Sequence, residues 1–258
     1  MTFRQLFNKN SVFIFMFVFL IACGSNKSKN FIDENTDVSS SNEEDNVVNV
    51  QELPQAVVKV LPLGDSITQG GSGFVSYRRD LWFLLKNAGY IIDFVGSQSE
   101  YHGEVTDNLK DFDQDHEGHW AWEAGELDSR LEDWLDDYQA DIVLLHAGTN
   151  DFDRGQSNGS TIQELTSIID KLRKNNSAVI ILLAKIIPMK SKDTRAINER
   201  IEVLAEAEST KKSPIVLVDQ HEGYEPLVDN HDNYHPNTLG ESKIAKKWFE
   251  NLVPFLEK

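Results

Sequence analysis

Val57-Val58-Lys59-Val60-Leu61-Pro62-Leu63 runs directly into Gly64-Asp65-Ser66-Ile67-Thr68. The first seven residues form a short, mostly continuous apolar run, as expected of a strand covered on both faces. The next five form a turn. A serine at a strand-to-helix turn exposes its hydroxyl at the upper edge of a sheet, where the following backbone N–H groups can face a developing oxyanion. Gly-Asp-Ser is also common in ordinary turns, so a structural reading stands beside the chemical one. The G-x-S-x-G elbow of the α/β-hydrolases is expected to be absent from this chain, which disfavours that fold.

Outward from this stretch the pattern repeats. Ile91–Val95, Ile142–His146, Val179–Ala184 and Ile215–Val218 are further strand candidates. Between them lie apolar stripes at helical spacing: Tyr77, Leu81, Leu84, Leu85 and Ala88; Leu127, Leu131, Trp134, Leu135 and Tyr138; Ile162, Leu165, Ile169 and Leu172; Ile197, Ile201, Leu204 and Ala205. Ile244, Ala245, Trp248, Phe249 and Leu252 mark a last helix. Strands alternating with helices predict an α/β fold, a parallel sheet of about five strands with helices on both faces. Ligands of such sheets sit beyond the carboxyl ends of the strands.

The chain has 258 residues, 25 of them basic and 42 acidic, for a formal charge of −17. That length suits one domain with an appendage. The acidic balance argues against nucleic acid as a partner, since no basic surplus is there to neutralise phosphates. A single cysteine excludes an internal disulfide framework and a Cys-rich zinc site.

Residues 12–22 are an unbroken apolar run preceded by Arg4 and Lys9. Eleven residues are too few to span a bilayer, which takes about 20 in helical form, and the layout is that of a secretory signal. Leu20-Ile21-Ala22-Cys23 resembles the bacterial lipobox, which implies cleavage before Cys23 and its lipidation, with a plain signal peptide as the alternative. The predicted organisation is a signal over 1–22, a lipidated Cys23 with a flexible Ser/Asn/Asp/Glu-rich linker over 23–55, and a folded domain over 56–258. The implied location is the bacterial cell envelope, anchored by lipid. Gly24 rather than Asp after the cysteine is compatible with outer-membrane sorting.

Other candidate residues also follow strands. Val95-Gly96-Ser97 places a glycine where a backbone N–H can approach a ligand. Gly148-Thr149-Asn150-Asp151 offers an amide donor to an oxyanion, or a helix cap. Asp232-Asn233-Tyr234-His235-Pro236 precedes the last helix. Histidine is suited to take a serine's proton near neutral pH, and an acid three residues earlier can hold its tautomer. His221, His231 and Asp229 compete for these roles.

Together these residues resemble the SGNH (GDSL-type) hydrolase superfamily, over essentially all of 56–258 and in family order. The resemblance implies Ser66 as nucleophile, Ser66, Gly96 and Asn150 as oxyanion hole, His235 as base and Asp232 as its acid. It further implies a three-layer flavodoxin-like fold with strand order 2-1-3-4-5, no metal and no cofactor. Ser76-Tyr77-Arg78, Asp93 to Ser97, His116-Glu117-Gly118-His119 and Asp141 to Asp151 look like carbohydrate esterase family 3, whose members deacetylate xylan and related sugars. That family usually reads H-E-G-H-S-G-W, whereas here Trp120 and Ala121 stand in place of the small residue and the glycine. Asn233-Tyr234 replaces the commoner Gly-Leu.

The expected activity is therefore a serine esterase acting on O-acetyl esters of a polysaccharide or oligosaccharide, tethered to a membrane. A lysophospholipase or thioesterase of the same superfamily and a non-catalytic glycan-binding lipoprotein are the alternatives. Trp120 and Trp122 are candidates to stack on sugar rings, with loop packing an equal alternative for one of them. His119 and Arg78 complete the candidate substrate-binding set, although helix-surface salt bridges are the default for Arg78 and Arg79. A metal held by His116 and His119 is a further alternative, set against a loop packed by hydrogen bonds.

Overall fold

The computed structural model describes residues 57–72 and 74–256. The apolar run 12–22, Cys23 and the linker to residue 55 lie outside them. Among the described residues no helix is long and apolar enough to cross a membrane.

All five strand candidates form, with ends shifted by a residue at most: β1 Val58–Gly64, β2 Ile92–Phe94, β4 Ile142–His146, β5 Ile180–Ala184 and β6 Ile215–Val218. They pair in parallel in the order β2-β1-β4-β5-β6. A short extra strand, β3 (Glu117–Gly118), pairs with the end of β1. No sequence pattern marked β3, because two residues have no periodicity.

Pro62 sits inside β1 without breaking the ladder. Val60 accepts the Val95 N–H through its carbonyl, so the polar edge of Pro62, two residues on, faces the same neighbour side. There β2 has ended opposite Val60, and β3 begins only opposite Leu63. The missing proline N–H falls in that gap.

Alternate strand residues feed two cores. Leu61, Leu63, Val143, Leu145, Ile181 and Leu183 pack under α3 (Ala124–Leu135), α5 (Asn158–Asn175) and α6 (Arg195–Glu208). Val60, Phe94, Ile142, Leu144, Leu182 and Val218 pack under α2 (Tyr77–Asn87) and α8 (Thr238–Leu252). The result is the three-layer α/β fold expected from the alternation. Leu84 is a correction, since it turns to solvent while Leu81 and Leu85 carry the α2 contact.

The chain crosses from β1 to β2 on one side and builds β4, β5 and β6 on the other. The crevice at this reversal lies between the carboxyl ends of β1 and β4, where such folds hold ligands. Those two ends meet closely: a Cβ on Gly64 would lie 2.2 Å from the His146 carbonyl oxygen. Only glycine lets the serine turn begin there.

Candidate active site

Asp65 caps the four-residue helix α1 (Ser66–Gln69), its Oδ1 accepting the Ile67 N–H at 2.9 Å. Ser66 is thereby the first helical residue. Its N–H has no acceptor within α1, and its side chain stands at the crevice, 6% exposed. Ser66 Oγ lies 2.9 Å from His235 Nε2, and His235 Nδ1 lies 2.6 Å from Asp232 Oδ2. The other Asp232 oxygen accepts the backbone N–H groups of Tyr234 at 2.8 Å and His235 at 2.7 Å. Partial burial pushes the Asp232 carboxyl up, but the His235 and backbone hydrogen bonds outweigh it and hold its pKa below the ordinary value. The carboxylate therefore stays charged and keeps the imidazole proton on Nδ1.

The competing residues are engaged elsewhere. Asp229 is buried with Oδ2 taking the Lys243 ammonium and the Glu225 N–H, both at 2.7 Å. His221 belongs to the turn after β6, where its N–H caps on Asp219. His231 lies beside the Asp232–His235 pair without touching Ser66.

Asn150 lies in α4 (Thr149–Arg154), which begins after Gly148 in a left-handed conformation, φ 108°. One hydrogen of the Asn150 amide goes to the Trp122 carbonyl at 2.8 Å, leaving the second to donate elsewhere. Tyr234, where the resemblance has a leucine, donates its hydroxyl to Asp153 of α4 at 2.9 Å. This bond ties the histidine loop to the helix that carries Asn150.

Gly96 passes so close to the next loop that a Cβ would lie 2.1 Å from the His116 carbonyl carbon. Its position is set by Glu117, to which the sequence pattern assigns no role. The buried Glu117 carboxylate accepts Ser97 N–H at 2.8 Å, Ser97 Oγ–H at 2.7 Å, Tyr138 O–H at 2.5 Å and His119 Nε2 at 2.6 Å. These four donors offset the cost of burying the charge.

The candidate substrate-binding residues divide. His119 is a correction: it is clamped on Glu117 and stacked between Trp122 and Trp134, with ring centroids 4.4 Å from each. Trp122 is likewise turned to packing on the α3 side. Arg78 is a second correction. Its guanidinium is completely buried and donates to the carbonyls of Thr68 (2.8 Å), Gln69 (2.9 Å) and Gln114 (2.6 Å), so it braces the serine turn and has no face for substrate. Arg79 forms the surface pair with Asp111.

Trp120 alone of the four stands against the Ser66–His235 pair, its ring 4.8 Å from His235 and 4.2 Å from that of His102. Phe74 stands 4.8 Å from the same histidine ring, so two bulky aromatics wall it. Between the two tryptophans Ala121 takes φ 62°, where the resembling family has glycine. That bend sends their side chains different ways.

His116 and His119 do not converge on a metal. His116 Nδ1 accepts the Gly118 N–H and Nε2 donates to the Glu100 carbonyl, while burial keeps its pKa well below the ordinary value. The expected absence of G-x-S-x-G is a correction: Gly155-Gln156-Ser157-Asn158-Gly159 spells it, but Ser157 caps α5 by accepting the Ser160 N–H and follows no strand.

Asp65 carries a pH signature. Its second oxygen is buried with no hydrogen-bond partner, and burial raises its pKa from 3.8 to about 7. Between those values the folded chain holds a proton that the unfolded chain has lost, so stability falls as pH rises from about 4 to about 7 and levels above. Asparagine caps equally well. Asp65→Asn is expected to raise Tm by several degrees at pH 8 and to leave it unchanged near pH 4, as read by calorimetry. Glu241, raised to about 7 by burial, leaves a residual slope of the same sign.

The model of the GDSL-like Lipase/Acylhydrolase family matches residues 63–243. An acetyl esterase mutant solved with an acetate ion is 30% identical, with TM-score 0.69, covering 77% of this chain and 98% of that one. A carbohydrate esterase family 3 structure from Talaromyces cellulolyticus is 30% identical, with TM-score 0.68 and the same coverage. A multidomain esterase of Ruminococcus flavefaciens is 29% identical over 225 residues, 78% of this chain. The match spans only 29% of that relative's length.

Proposed function

The chain belongs to the GDSL-like lipase/acylhydrolase family, and from that membership we propose that it is a serine esterase removing acetyl groups from a carbohydrate. The observation that carries this reading is the continuous Ser66–His235–Asp232 chain of contacts, walled by Trp120 and Phe74. His235 takes the Ser66 proton as Oγ attacks the acetyl carbonyl, and Asp232 stabilises the imidazolium. The Ser66 and Gly96 N–H groups and the second Asn150 amide hydrogen hold the tetrahedral oxyanion. His235 then protonates the departing sugar alkoxide. Water, deprotonated by the same histidine, hydrolyses the acetyl-enzyme and releases acetate.

The acetyl and carbohydrate parts of the proposal draw support from the acetyl esterase and carbohydrate esterase relatives and from the two aromatic rings stacked beside His235. A chain-length series of nitrophenyl esters tests them. The expected result is a maximal kcat/KM on acetate that falls steeply by butyrate. Preference for eight carbons or more would replace this reading with a lysophospholipase or thioesterase.

Asn150→Ala is expected to lower kcat by about 10²–10³-fold with little change in KM, the usual loss for one oxyanion donor. A rate near wild type would remove Asn150 from the mechanism. The lipobox-like Cys23 adds the proposal of a lipid anchor, for which Cys23→Ala should shift the protein from the membrane to the soluble fraction.

A further inference from the structure

His231 is the histidine that the chemistry leaves unused. It precedes His235 by four residues, and its backbone N–H donates to the His235 carbonyl at 3.0 Å, folding the loop back on itself. The two imidazoles stand nearly parallel, with centroids 5.9 Å apart and planes at 19°. His231 Nδ1 lies 4.0 Å from the Asp232 Oδ2 that also takes His235 Nδ1 at 2.6 Å. One ligand atom from each of His231, Asp232 and His235 lies within 4.8 Å of the other two. The side chains of His231 and Asp232 are 37% and 43% exposed, so an ion can reach them from solvent.

We propose that His231, Asp232 and His235 form a clamp through which a transition-metal ion, Zn²⁺ or Cu²⁺, reversibly inhibits the enzyme. Two imidazole nitrogens and one carboxylate oxygen make a three-ligand site with one position left for water. Bond lengths of about 2.0–2.2 Å place the donors of a tetrahedral ion about 3.3 Å apart. The present separations of 2.6 and 4.0 Å lie on either side of that spacing. Small rotations of the two exposed side chains therefore close the site around an ion while His235 stays in place.

On binding, the neutral imidazole changes tautomer: the Nδ1 proton leaves to solvent, Nε2 takes one up, and Nδ1 gives its lone pair to the metal, while Asp232 Oδ2 bonds the ion instead of the imidazole. Nε2 then carries a hydrogen and has no lone pair facing Ser66 Oγ. The Ser66 proton has nowhere to go, and the attack stops. The donor set also fixes selectivity. Imidazole favours Cu²⁺ over Zn²⁺, whereas Mg²⁺ and Ca²⁺ prefer all-oxygen sites.

The inhibition rests on His235 acting as the base, but binding of the ion does not, so the test has two arms. In the first, hydrolysis of nitrophenyl acetate by the full chain is titrated with ZnCl₂, CuCl₂ and MgCl₂. Inhibition should follow Cu²⁺ > Zn²⁺ with no effect of Mg²⁺, and a chelator should restore the rate. His231→Gln should keep the metal-free rate and need about tenfold or more Zn²⁺ for half inhibition, since losing a ligand costs at least what losing an outer-shell partner does. His221→Gln, on another loop, should behave as wild type. In the second arm, calorimetry of Zn²⁺ into the full chain carrying Ser66→Ala reads affinity without turnover, and His231→Gln added to it should weaken it equally. Equal Zn²⁺ sensitivity and equal affinity with and without His231 would overturn the proposal. Weakened binding in a chain with no esterase activity would keep the site and discard the esterase reading.

Discussion

Ser66→Ala should lower kcat on nitrophenyl acetate by about 10⁴–10⁶-fold, the scale seen when a serine nucleophile is removed from an intact hydrolase site. Among the described residues the hydroxyl is the one side-chain group hydrogen-bonded to His235 Nε2, at 2.9 Å, and no neighbour is placed to replace it as nucleophile. What remains is the rate that the oxyanion donors and bound water supply. The fold should be indifferent to the change. Oγ makes this one side-chain hydrogen bond, and Nε2 lies at the crevice, where water can serve it. Tm is therefore expected within about 2–4 °C of wild type, since the net worth of one hydrogen bond is about 1 kcal/mol and that shifts a domain of this size by about 2–4 °C. A variant with wild-type turnover and wild-type Tm would show that the chemistry lies elsewhere.

Gly96→Ala is the second large effect, and it acts through the backbone. The new Cβ would stand 2.1 Å from the His116 carbonyl carbon and 2.2 Å from its oxygen, both main-chain atoms that cannot swing aside. Strand end and loop must separate by more than 1 Å, which moves the Gly96 N–H off any oxyanion. A misplacement of that size costs about 10²-fold in rate, and the overpacking costs about 1–3 kcal/mol of stability. Both losses are expected together in kinetics and thermal melts, with KM little changed. Gly159→Ala provides the contrast, because its Cβ meets nothing closer than 3.9 Å in the first turn of α5. That variant should match wild type in rate. An unimpaired kcat in Gly96→Ala would take this glycine out of the oxyanion hole.

The sheet was legible in the sequence because its strands are buried on both faces. Such burial demands continuous β-branched and leucine runs, and Ile142–His146 and Ile215–Val218 match to the residue. β3 was not legible, because Glu117-Gly118 is held by side-chain and loop contacts and not by any run of its own. The histidine loop was legible only in part. Position alone left His221, His231 and Asp229 in contention; in the structure Asp229 pairs with Lys243, whereas Asp232 meets His235. Arg78 misled because a charge beside Arg79 and Asp80 reads as helix surface, yet it faces inward to satisfy two carbonyls at the end of α1 and that of Gln114. Trp120 and Trp122 are alike in composition and spacing. The bend at Ala121 separates them, and no one-dimensional pattern announces a left-handed alanine.

The central claim is that Ser66 carries an esterase whose substrate is an acetylated sugar. Acetate released from acetylated xylan, wild type and Ser66→Ala side by side, tests it most directly. Steady release by wild type and none above background by the variant are expected. Release undiminished in Ser66→Ala would contradict the mechanism. No release from xylan or other acetylated glycans, while nitrophenyl acetate is still cleaved in a Ser66-dependent way, would contradict the carbohydrate substrate.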